Sequence, residues 1–295
     1  MNTFSFSGTG VALVTPFRPD FSVDTDALKR IVEHVIAGGV EYIVALGTTS
    51  EAPTLAAAEK QFVTQIILQQ VNGRVPVVKG VGGNHTEEVV SQLKNDSFDG
   101  IAAVLSVTPY YNKPGQAGLL RHFDQVAEAS PVPVILYNVP GRTSVNMQAQ
   151  TTLELARRHT NIVAIKEASG DFNQMMEIIA NKPSHFELIS GDDGITFPLI
   201  AAGAKGVISV AANAFPRPFS DMVRAALFGD LKHARDLQYR MLKLFHLLFA
   251  EGSPIGVKAL MNQMKLCENM LRLPLIPASE NLANQLVSQW NLLNR

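Results

Sequence analysis

Short apolar runs rich in valine and isoleucine recur along the first three-quarters of the chain, and segments with helical periodicity separate them. The apolar residues within a run are mostly continuous rather than alternating, which is typical of parallel strands covered on both faces. The pattern therefore predicts a parallel sheet packed against helices. We interpret these runs as strands: Val11–Thr15, Tyr42–Leu46, Val75–Val81, Ile101–Val107, Val132–Tyr137, Ile162–Lys166, Glu187–Ser190 and Gly206–Val210.

The segments between the strands have the spacing of amphipathic helices. Asp26–Ala37 places its apolar residues on one helix face, and Thr86–Leu93 follows the same spacing. Asp171–Ala180 does so after Asp171, an acidic residue suited to cap the helix. After about residue 215 the strand pattern stops. The remaining helices are predicted at Leu227–Phe249, Pro254–Leu266 and Glu280–Leu293.

Strands that alternate with helices in this way predict an α/β fold, namely a closed (β/α)₈ TIM barrel. We place the barrel in residues 1–225 and expect residues 226–295 to form a C-terminal helical region packed on it. An open, doubly wound sheet is the alternative, and it usually has a glycine-rich phosphate turn after its first strand. The sequence lacks this turn, because Gly8-x-Gly10 and Gly80-x-Gly82 are followed by Leu13 and His85 where a third glycine is required.

Composition narrows the class of protein further. Lys and Arg total 25 against 26 for Asp and Glu, without long charged runs, which argues against nucleic-acid binding. The chain has no apolar run long enough for a membrane span, and the N-terminus MNTFSFSGTG lacks the features of a signal peptide. The single cysteine, Cys267, suits a reducing compartment, so we expect a cytoplasmic protein. The 7 histidines lack metal-ligand spacing, and we predict no metal site.

Polar residues at predicted strand ends are the candidates for chemistry, because a barrel enzyme builds its active site there. Lys166 ends the apolar run Ile162–Lys166, where burying an ammonium group is costly and favours the neutral amine. A neutral amine can attack a carbonyl carbon and form an imine. The structural alternative is an ion pair between Lys166 and a carboxylate such as Glu167 or Asp171.

Three of the 5 tyrosines also lie at predicted strand ends, namely Tyr110, Tyr111 and Tyr137. A phenol can relay protons when a second hydroxyl positions it, and Thr48 and Thr49 are candidates to supply that hydroxyl. The alternative for each tyrosine is a half-buried packing role.

Two further loops follow strand ends. Arg142 lies in a Pro-Gly turn after Tyr137, where a guanidinium can hold a carboxylate in a bidentate pair or remain a solvated loop residue. We interpret the acidic pair Asp192 and Asp193 as part of a loop that helps to shape the site.

Five segments match one known family in order. On these segments the chain resembles the 4-hydroxy-tetrahydrodipicolinate synthase (dihydrodipicolinate synthase) family, within the superfamily of pyruvate-dependent class I aldolases and N-acetylneuraminate lyase. The resemblance spans nearly the whole chain. It implies a (β/α)₈ lyase of the diaminopimelate route to lysine, which condenses pyruvate, held as a Schiff base on lysine, with L-aspartate 4-semialdehyde and needs no metal or organic cofactor. The segments are Gly47–Glu51, Thr108–Asn112, Tyr137–Thr143, Ile165–Ala168 and Gly191–Asp193.

The resemblance also implies catalytic roles for individual residues. Lys166 corresponds to the Schiff-base lysine of the family. Tyr137, Thr48 and Tyr111 correspond to its proton relay, in which the tyrosine at the position of Tyr111 comes from the neighbouring subunit. The implied partner is therefore a second copy of the chain, in a homodimer or homotetramer.

The implied substrate-binding residues are Thr49, Arg142, Ile208 and Gly191. Thr49 corresponds to the residue that binds the carboxylate of pyruvate. Arg142 corresponds to the arginine that receives the carboxylate of aspartate 4-semialdehyde. The backbone of Ile208 and the neighbouring Gly191 correspond to positions that line the same pocket.

The sequence departs from the family at two places. Ser50 stands where the family usually has glycine, so the loop after Thr49 is expected to differ slightly in backbone. Ala57 and Lys60 stand where the family's lysine-feedback pocket often has histidines, which argues against feedback inhibition by lysine. The positions that do match effector contacts are Asn84, Glu88 and Tyr110.

Three alternative functions remain open from the sequence. N-acetylneuraminate lyase and similar aldolases resemble Gly-Ser-Thr where this chain has Gly47-Thr48-Thr49, and they lack an equivalent of Arg142. A non-catalytic barrel that binds small molecules would leave an idle buried lysine at a cost to stability. A phosphate-binding isomerase barrel needs a glycine-rich loop late in the barrel, and the segment from Gly203 to Gly206 is only a weak match.

Overall fold

The computed structural model describes residues 6–293 of the chain. The first five residues, part of the segment predicted to lack the features of a signal peptide, lie outside the described residues. Each strand pairs in parallel with the next, and the eighth pairs with the first, so that the sheet closes into a barrel. The predicted (β/α)₈ barrel is confirmed. The strands are β1 (Gly8–Ala12), β2 (Tyr42–Ala45), β3 (Val77–Gly80), β4 (Ile101–Val107), β5 (Val134–Asn138), β6 (Ile162–Glu167), β7 (Glu187–Ser190) and β8 (Gly206–Ser209).

Helices follow the strands around the outside of the barrel, with one short extra helix, α5, directly after β5. Three further helices follow the helix after β8 and form the C-terminal region. The helices are α1 (Thr25–Ala37), α2 (Ala57–Val71), α3 (Thr86–Asn95), α4 (Gln116–Ala129), α5 (Pro140–Thr143), α6 (Ala149–Arg158), α7 (Phe172–Asn181), α8 (Thr196–Ala201), α9 (Pro216–Leu227), α10 (Leu231–Phe249), α11 (Ile255–Gln263) and α12 (Glu280–Leu293).

Side chains of each strand alternate between the inside of the barrel and the surrounding helices. On β5, Ile135 and Tyr137 belong to the interior cluster, whereas Val134 and Leu136 pack outward. All the strands contribute apolar residues to the interior, so the barrel is a packed core rather than a pore. A polar side chain at an inward position near a carboxyl end therefore faces the mouth of the barrel.

Strand β1 begins three residues earlier than the predicted Val11–Thr15 and ends at Ala12. The prediction was wrong because glycine is unfavourable in strand interiors unless something packs closely against it. Here a Cβ at Gly10 would lie 2.2 Å from a ring carbon of Tyr42, whose side chain is fully buried inside the barrel. Beyond the strand, the N–H of Val14 donates to Oδ1 of Asn213.

The C-terminal helices differ from the prediction at one junction. The predicted helix Leu227–Phe249 is interrupted, because α9 ends at Leu227 and Gly229 adopts a left-handed backbone with φ of 84°. Helix α10 starts after Asp230, whose side chain accepts a hydrogen bond from the N–H of His233. The division of the chain at residue 225 stays a prediction.

None of the helices described in residues 6–293 combines the length and apolar character that crossing a bilayer requires.

Replacing Gly10 with alanine should lower the free energy of unfolding by about 1–3 kcal/mol, because the new methyl group overlaps the Tyr42 ring in a packed core. Urea unfolding followed by circular dichroism measures this change. Gly141→Ala is the control, since a Cβ there meets no heavy atom within 4 Å, and its effect should stay within about 0.5 kcal/mol. Equal stabilities of the two variants would contradict the proposed reason for glycine in β1.

Candidate active site

A cavity of about 570 Å³ lies at the carboxyl ends of the barrel strands. Its lining is mixed, with apolar walls and a few convergent polar groups, as in small-molecule sites. The structure thus brings most of the predicted site residues into one place. Those that line the cavity are Thr48, Thr49, Tyr137, Arg142, Lys166 and Gly191.

Lys166 lies near the end of β6 with its side chain pointing into the barrel mouth. It pairs in the sheet with Tyr137 of β5, so both side chains point to the same face. The Nζ atom lies 4.4 Å from the centroid of the Tyr137 ring, and the residue is only 5% exposed. The amine is therefore buried at the base of the cavity, in contact with a phenol.

The two carboxylates considered as ion-pair partners of Lys166 are engaged elsewhere. Glu167 follows Lys166 on the strand, so its side chain points outward, away from the barrel interior. It accepts hydrogen bonds from Nδ2 of Asn138 at 3.0 Å and from Nε2 of Gln174 at 3.0 Å. Asp171 caps α7 by accepting a hydrogen bond from the N–H of Gln174. The ion-pair alternative for Lys166 does not describe this structure.

Glu167 instead forms hydrogen bonds on the outer side of the barrel, next to Lys166 in the chain. Burial raises the pKa of this carboxyl group, while its hydrogen bonds with Asn138, Ser169 and Gln174 oppose the shift. Asn138 follows Tyr137 on β5, so the carboxylate links the strand that holds the phenol to the strand that holds the amine.

The turn after β2 presents Thr48 and Thr49 to the cavity. Residues Thr48–Ser50 form a 3₁₀ turn. Leu46 before the turn and Glu51 after it are non-glycine residues with left-handed backbones, at φ of 56° and 58°. The Ser50 hydroxyl donates to the carbonyl oxygen of Gly47 at 2.7 Å, so the serine is satisfied within the turn. The turn is thus a tightly constrained element.

Arg142 reaches the cavity from the short helix α5. Its Nη2 donates a hydrogen bond to the carbonyl oxygen of Ser253 at 3.2 Å. The other guanidinium nitrogens remain available for an anionic ligand, since Arg142 lines the cavity. Ser253 belongs to the segment between α10 and α11, so the arginine is held by the C-terminal region.

The loop after β7 contributes Gly191, Asp192 and Gly194 to the lining of the cavity. A Cβ at Gly191 would lie 2.7 Å from the Cβ of Ala168, so glycine allows β6 and β7 to approach closely at the site. Asp192 lines the cavity, whereas Asp193 is buried and its Oδ2 accepts from the N–H of Ala211 at 2.9 Å. Burial raises the pKa of Asp193 to about 6, although hydrogen bonds oppose the shift.

Ile208, the remaining predicted pocket residue, is 1% exposed and belongs to the interior cluster of the barrel. Val210, two residues further along the chain, lines the cavity. The structure thus puts the end of β8 next to the site, although the Ile208 side chain is not part of the cavity lining.

Tyr111 is separated from the other predicted catalytic residues. Its side chain is 88% exposed, and its backbone is left-handed with φ of 72°. Strained non-glycine conformations of this kind cost about 1–3 kcal/mol and concentrate at functional positions. Tyr111 does not line the cavity that contains Lys166.

Tyr110 lines a second cavity of about 330 Å³, which shares the walls formed by Thr48, Tyr137 and Arg142. Lys60 also lines this second cavity, whereas Ala57 is exposed.

The other two predicted effector residues, Asn84 and Glu88, line neither of these two cavities. The carbonyl oxygen of Asn84 accepts a hydrogen bond from Asn112, and Glu88 is a largely exposed side chain near His85. Of the three predicted effector residues, Tyr110 lines a cavity that shares walls with the candidate site, and the effector role itself stays a prediction.

The C-terminal region also contributes to the cavity, which the sequence did not predict. Phe245, His246 and Phe249 of α10 line it, as does Ser253 beyond the helix. The helical spacing of α10 predicts an apolar face, but apolar spacing does not tell which part of that face meets the barrel mouth. No group of three or more potential metal ligands is found among residues 6–293.

Comparison with known proteins gives consistent matches over the whole length. The model of the dihydrodipicolinate synthetase family matches residues 5–291. A 4-hydroxy-tetrahydrodipicolinate synthase of Parabacteroides distasonis is 54% identical over 277 residues, which cover 94% of this chain and 93% of that protein.

Solved structures agree with these matches. The dihydrodipicolinate synthase of Thermotoga maritima superposes with a TM-score of 0.96 at 37% identity and covers 99% of each chain. A dihydrodipicolinate synthase variant described as monomeric superposes with a TM-score of 0.95 at 37% identity, covering 98% of this chain and 97% of that one.

Asp193 gives the stability of the fold a pH dependence of definite sign. Its pKa is about 6 in the folded protein, against an ordinary value of 3.8, so the folded state holds the proton more tightly than the unfolded state. The free energy of unfolding should therefore fall, relative to that of Asp193→Asn, as the pH rises from about 4 to about 7. The expected change is about 1–3 kcal/mol.

Urea unfolding of both proteins across this pH range measures the effect. Asp99→Asn, a change at an exposed aspartate, is the control and should follow the wild-type curve. Parallel curves for wild type and Asp193→Asn would contradict the argument from burial.

Proposed function

The chain belongs to the dihydrodipicolinate synthetase family, and we propose that it is a lyase with 4-hydroxy-tetrahydrodipicolinate synthase activity. It condenses pyruvate with L-aspartate 4-semialdehyde in the diaminopimelate route to lysine. The observation that supports this proposal best is the buried Lys166 amine, which contacts the Tyr137 ring in a cavity also lined by Thr48, Thr49 and Arg142.

Lys166 is the covalent catalyst. Its amine adds to the keto carbon of pyruvate, and loss of water leaves an imine. The imine withdraws electrons from the adjacent methyl group, which loses a proton to give an enamine. The enamine carbon then attacks the aldehyde carbon of the second substrate. The amine of that substrate finally adds to the imine carbon, which closes the ring and releases Lys166.

Tyr137 serves as the proton relay for these steps, since each one moves a proton to or from nitrogen, oxygen or carbon. Its phenol lies beside the amine, and Thr48, which lines the same cavity, supplies the hydroxyl that positions it. Tyr111 of a second copy completes the relay. Its exposed ring and left-handed backbone support this role outside its own subunit.

The substrates are held by their carboxylates. Thr49, buried at the turn after β2, binds the carboxylate of pyruvate, with Gly191 and the backbone of Ile208 closing the pocket around it. Arg142 at the mouth receives the carboxylate of the semialdehyde through a charge-assisted, bidentate pair. The chemistry requires no metal or organic cofactor, because the imine itself is the electron sink.

Two other functions are the alternatives. A different pyruvate-dependent aldolase, such as N-acetylneuraminate lyase, would use Lys166 and Tyr137 but not the carboxylate pocket at Arg142. A non-catalytic barrel would explain the cavity but not the buried lysine. Burying an ammonium group costs stability, and a barrel without catalysis gives no reason for that cost. Arg142 in the cavity lining therefore favours the synthase.

The active unit is at least a homodimer, and we extend the proposal to a homotetramer made of two such dimers. The solved variant described as monomeric is a relative, so the number of subunits is a property to be measured for this chain. The buried free thiol of Cys267 is compatible with a reducing, cytoplasmic setting.

Replacing Lys166 with alanine should reduce turnover by at least about 1000-fold, because no other group can form the imine. The assay is pyruvate consumption, with aspartate 4-semialdehyde and N-acetylmannosamine supplied in parallel. Borohydride trapping followed by mass spectrometry reports the imine separately. The control is Lys205→Ala, at an exposed lysine before β8.

Turnover that survives in Lys166→Ala would overturn the mechanism. Consumption with the sugar alone would keep the role of Lys166 and replace the proposed substrate. An absence of both consumption and trapping in the wild-type protein would favour the non-catalytic barrel.

Mixing two inactive variants tests the role of Tyr111 across the interface. Tyr111→Phe and Lys166→Ala should each have little activity, but a mixed dimer contains one site with an intact lysine and an intact partner tyrosine. Activity should therefore rise after the subunits exchange. If the mixture stays as inactive as its components while sedimentation shows mixed oligomers, Tyr111 does not act between subunits.

A further inference from the structure

Glu51 lies directly after the turn that presents Thr48 and Thr49 to the cavity. Its backbone is left-handed, with φ of 58° and ψ of 33°, and its side chain is 0% exposed. The N–H of Glu51 donates to the carbonyl oxygen of Thr48, and its own carbonyl oxygen accepts from the N–H of Thr54. A buried carboxylate thus lies at the point where the chain leaves the turn.

Both carboxylate oxygens of Glu51 are bound by the C-terminal region. Nζ of Lys258, on α11, donates to Oε1 at 2.5 Å, and the backbone N–H of Arg272 donates to Oε2 at 3.0 Å. Lys258 is itself 0% exposed and also donates to the carbonyl oxygen of Met270 at 2.9 Å. Its Nζ lies 4.4 Å from the centroid of the Phe17 ring. Each polar atom of the pair has a defined partner.

The stability of the fold does not explain why an ion pair is buried here. Removing two charges from water is costly, and apolar residues of similar size often stabilise a protein as well or better. The left-handed backbone of Glu51 adds a further conformational cost. What the pair does provide is a fixed position for the end of the turn, because a carboxylate held at both oxygens cannot rotate or shift.

A second contact links the same C-terminal segment to the site. The carbonyl oxygen of Ser253, five residues before Lys258, accepts the hydrogen bond from Nη2 of Arg142. The C-terminal region therefore contacts both the residue that ends the threonine turn and the arginine.

We propose that Glu51 is a positioning residue for catalysis, which holds Thr48 and Thr49 in place through Lys258 and the N–H of Arg272. The C-terminal helical region is then part of the active site rather than a cover on the barrel. This inference rests on the roles that the proposed function gives to Thr48 and Thr49.

The kinetic test is a double-mutant cycle between Glu51→Gln and Thr48→Val. In the wild-type background, Glu51→Gln should lower kcat by about 10-fold to 100-fold, because small misplacements of catalytic groups have effects of this size. In the Thr48→Val background it should lower kcat by less than about 2-fold, since Glu51 acts through the hydroxyl already removed. Equal losses in both backgrounds would overturn the proposal.

Asp96→Asn is the matched control. Asp96 forms the ion pair with buried Lys79 at 2.7 Å, between β3 and the end of α3. This change removes a comparable pair that does not contact the turn, so it should lower the melting temperature while kcat stays within about 2-fold of wild type. If Asp96→Asn lost as much kcat as Glu51→Gln, lower stability alone would explain the loss of kcat, and the proposal would be overturned.

Hydrogen exchange tests the positioning without depending on activity. Peptides that cover residues 47–55 should exchange faster in Glu51→Gln and Lys258→Met than in wild type, while peptides from β5 and β6 keep their protection. Unchanged exchange at the turn would overturn the proposal whatever the kinetics show. If the wild-type protein does not consume pyruvate with the semialdehyde, the proposed function fails, and the exchange result still decides whether Glu51 holds the turn in place.

The double variant Glu51→Gln/Lys258→Met covers the case in which a single change prevents folding. It removes both charges together, so no unpaired charge is buried and the melting temperature should recover. The kcat should remain at least about 10-fold below wild type, because the anchored carboxylate is absent. Recovery of kcat along with stability would overturn the proposal.

Discussion

The contact between the Lys166 amine and the Tyr137 ring is the interaction on which the site depends. It follows from one constraint of a closed barrel, namely that paired residues on neighbouring strands point to the same side. Because Lys166 and Tyr137 are paired in register, both side chains face the mouth, whereas Glu167, one residue further, faces the helices. A shift of one residue on β6 would exchange the amine for a carboxylate and leave the cavity without the proposed nucleophile.

Three buried carboxylates support the walls around this contact from behind. Glu167 joins the ends of β5 and β6, Asp193 accepts backbone N–H groups beyond β8, and Glu51 holds the end of the threonine turn. Each one accepts hydrogen bonds from groups on another element, so each fixes two parts of the wall relative to each other. Buried charges of this kind are costly, and they concentrate here because a binding site needs fixed positions more than it needs maximal stability.

The C-terminal region has a place in the same arrangement. Helix α10 lines the cavity with Phe245 and Phe249, and the segment that follows holds Arg142 through Ser253. The barrel alone would leave its mouth open to solvent on this side. In this view, the region after the barrel lowers the access of water to the reacting groups and so strengthens the electrostatic interactions inside the cavity.

The closed barrel and the residues at its strand ends could be predicted from the sequence, because the spacing of apolar residues is a local property of the chain. The sequence also identified the lysine, the tyrosine, the threonines and the arginine that the structure brings to one cavity. The place of Gly10 in β1 could not be predicted, since it depends on the Tyr42 ring from the next strand. Nor could the contact between Glu51 and Lys258, which are 207 residues apart in the chain. Such partners are set by how the barrel closes and how the last helices pack on it, and no local pattern records that geometry.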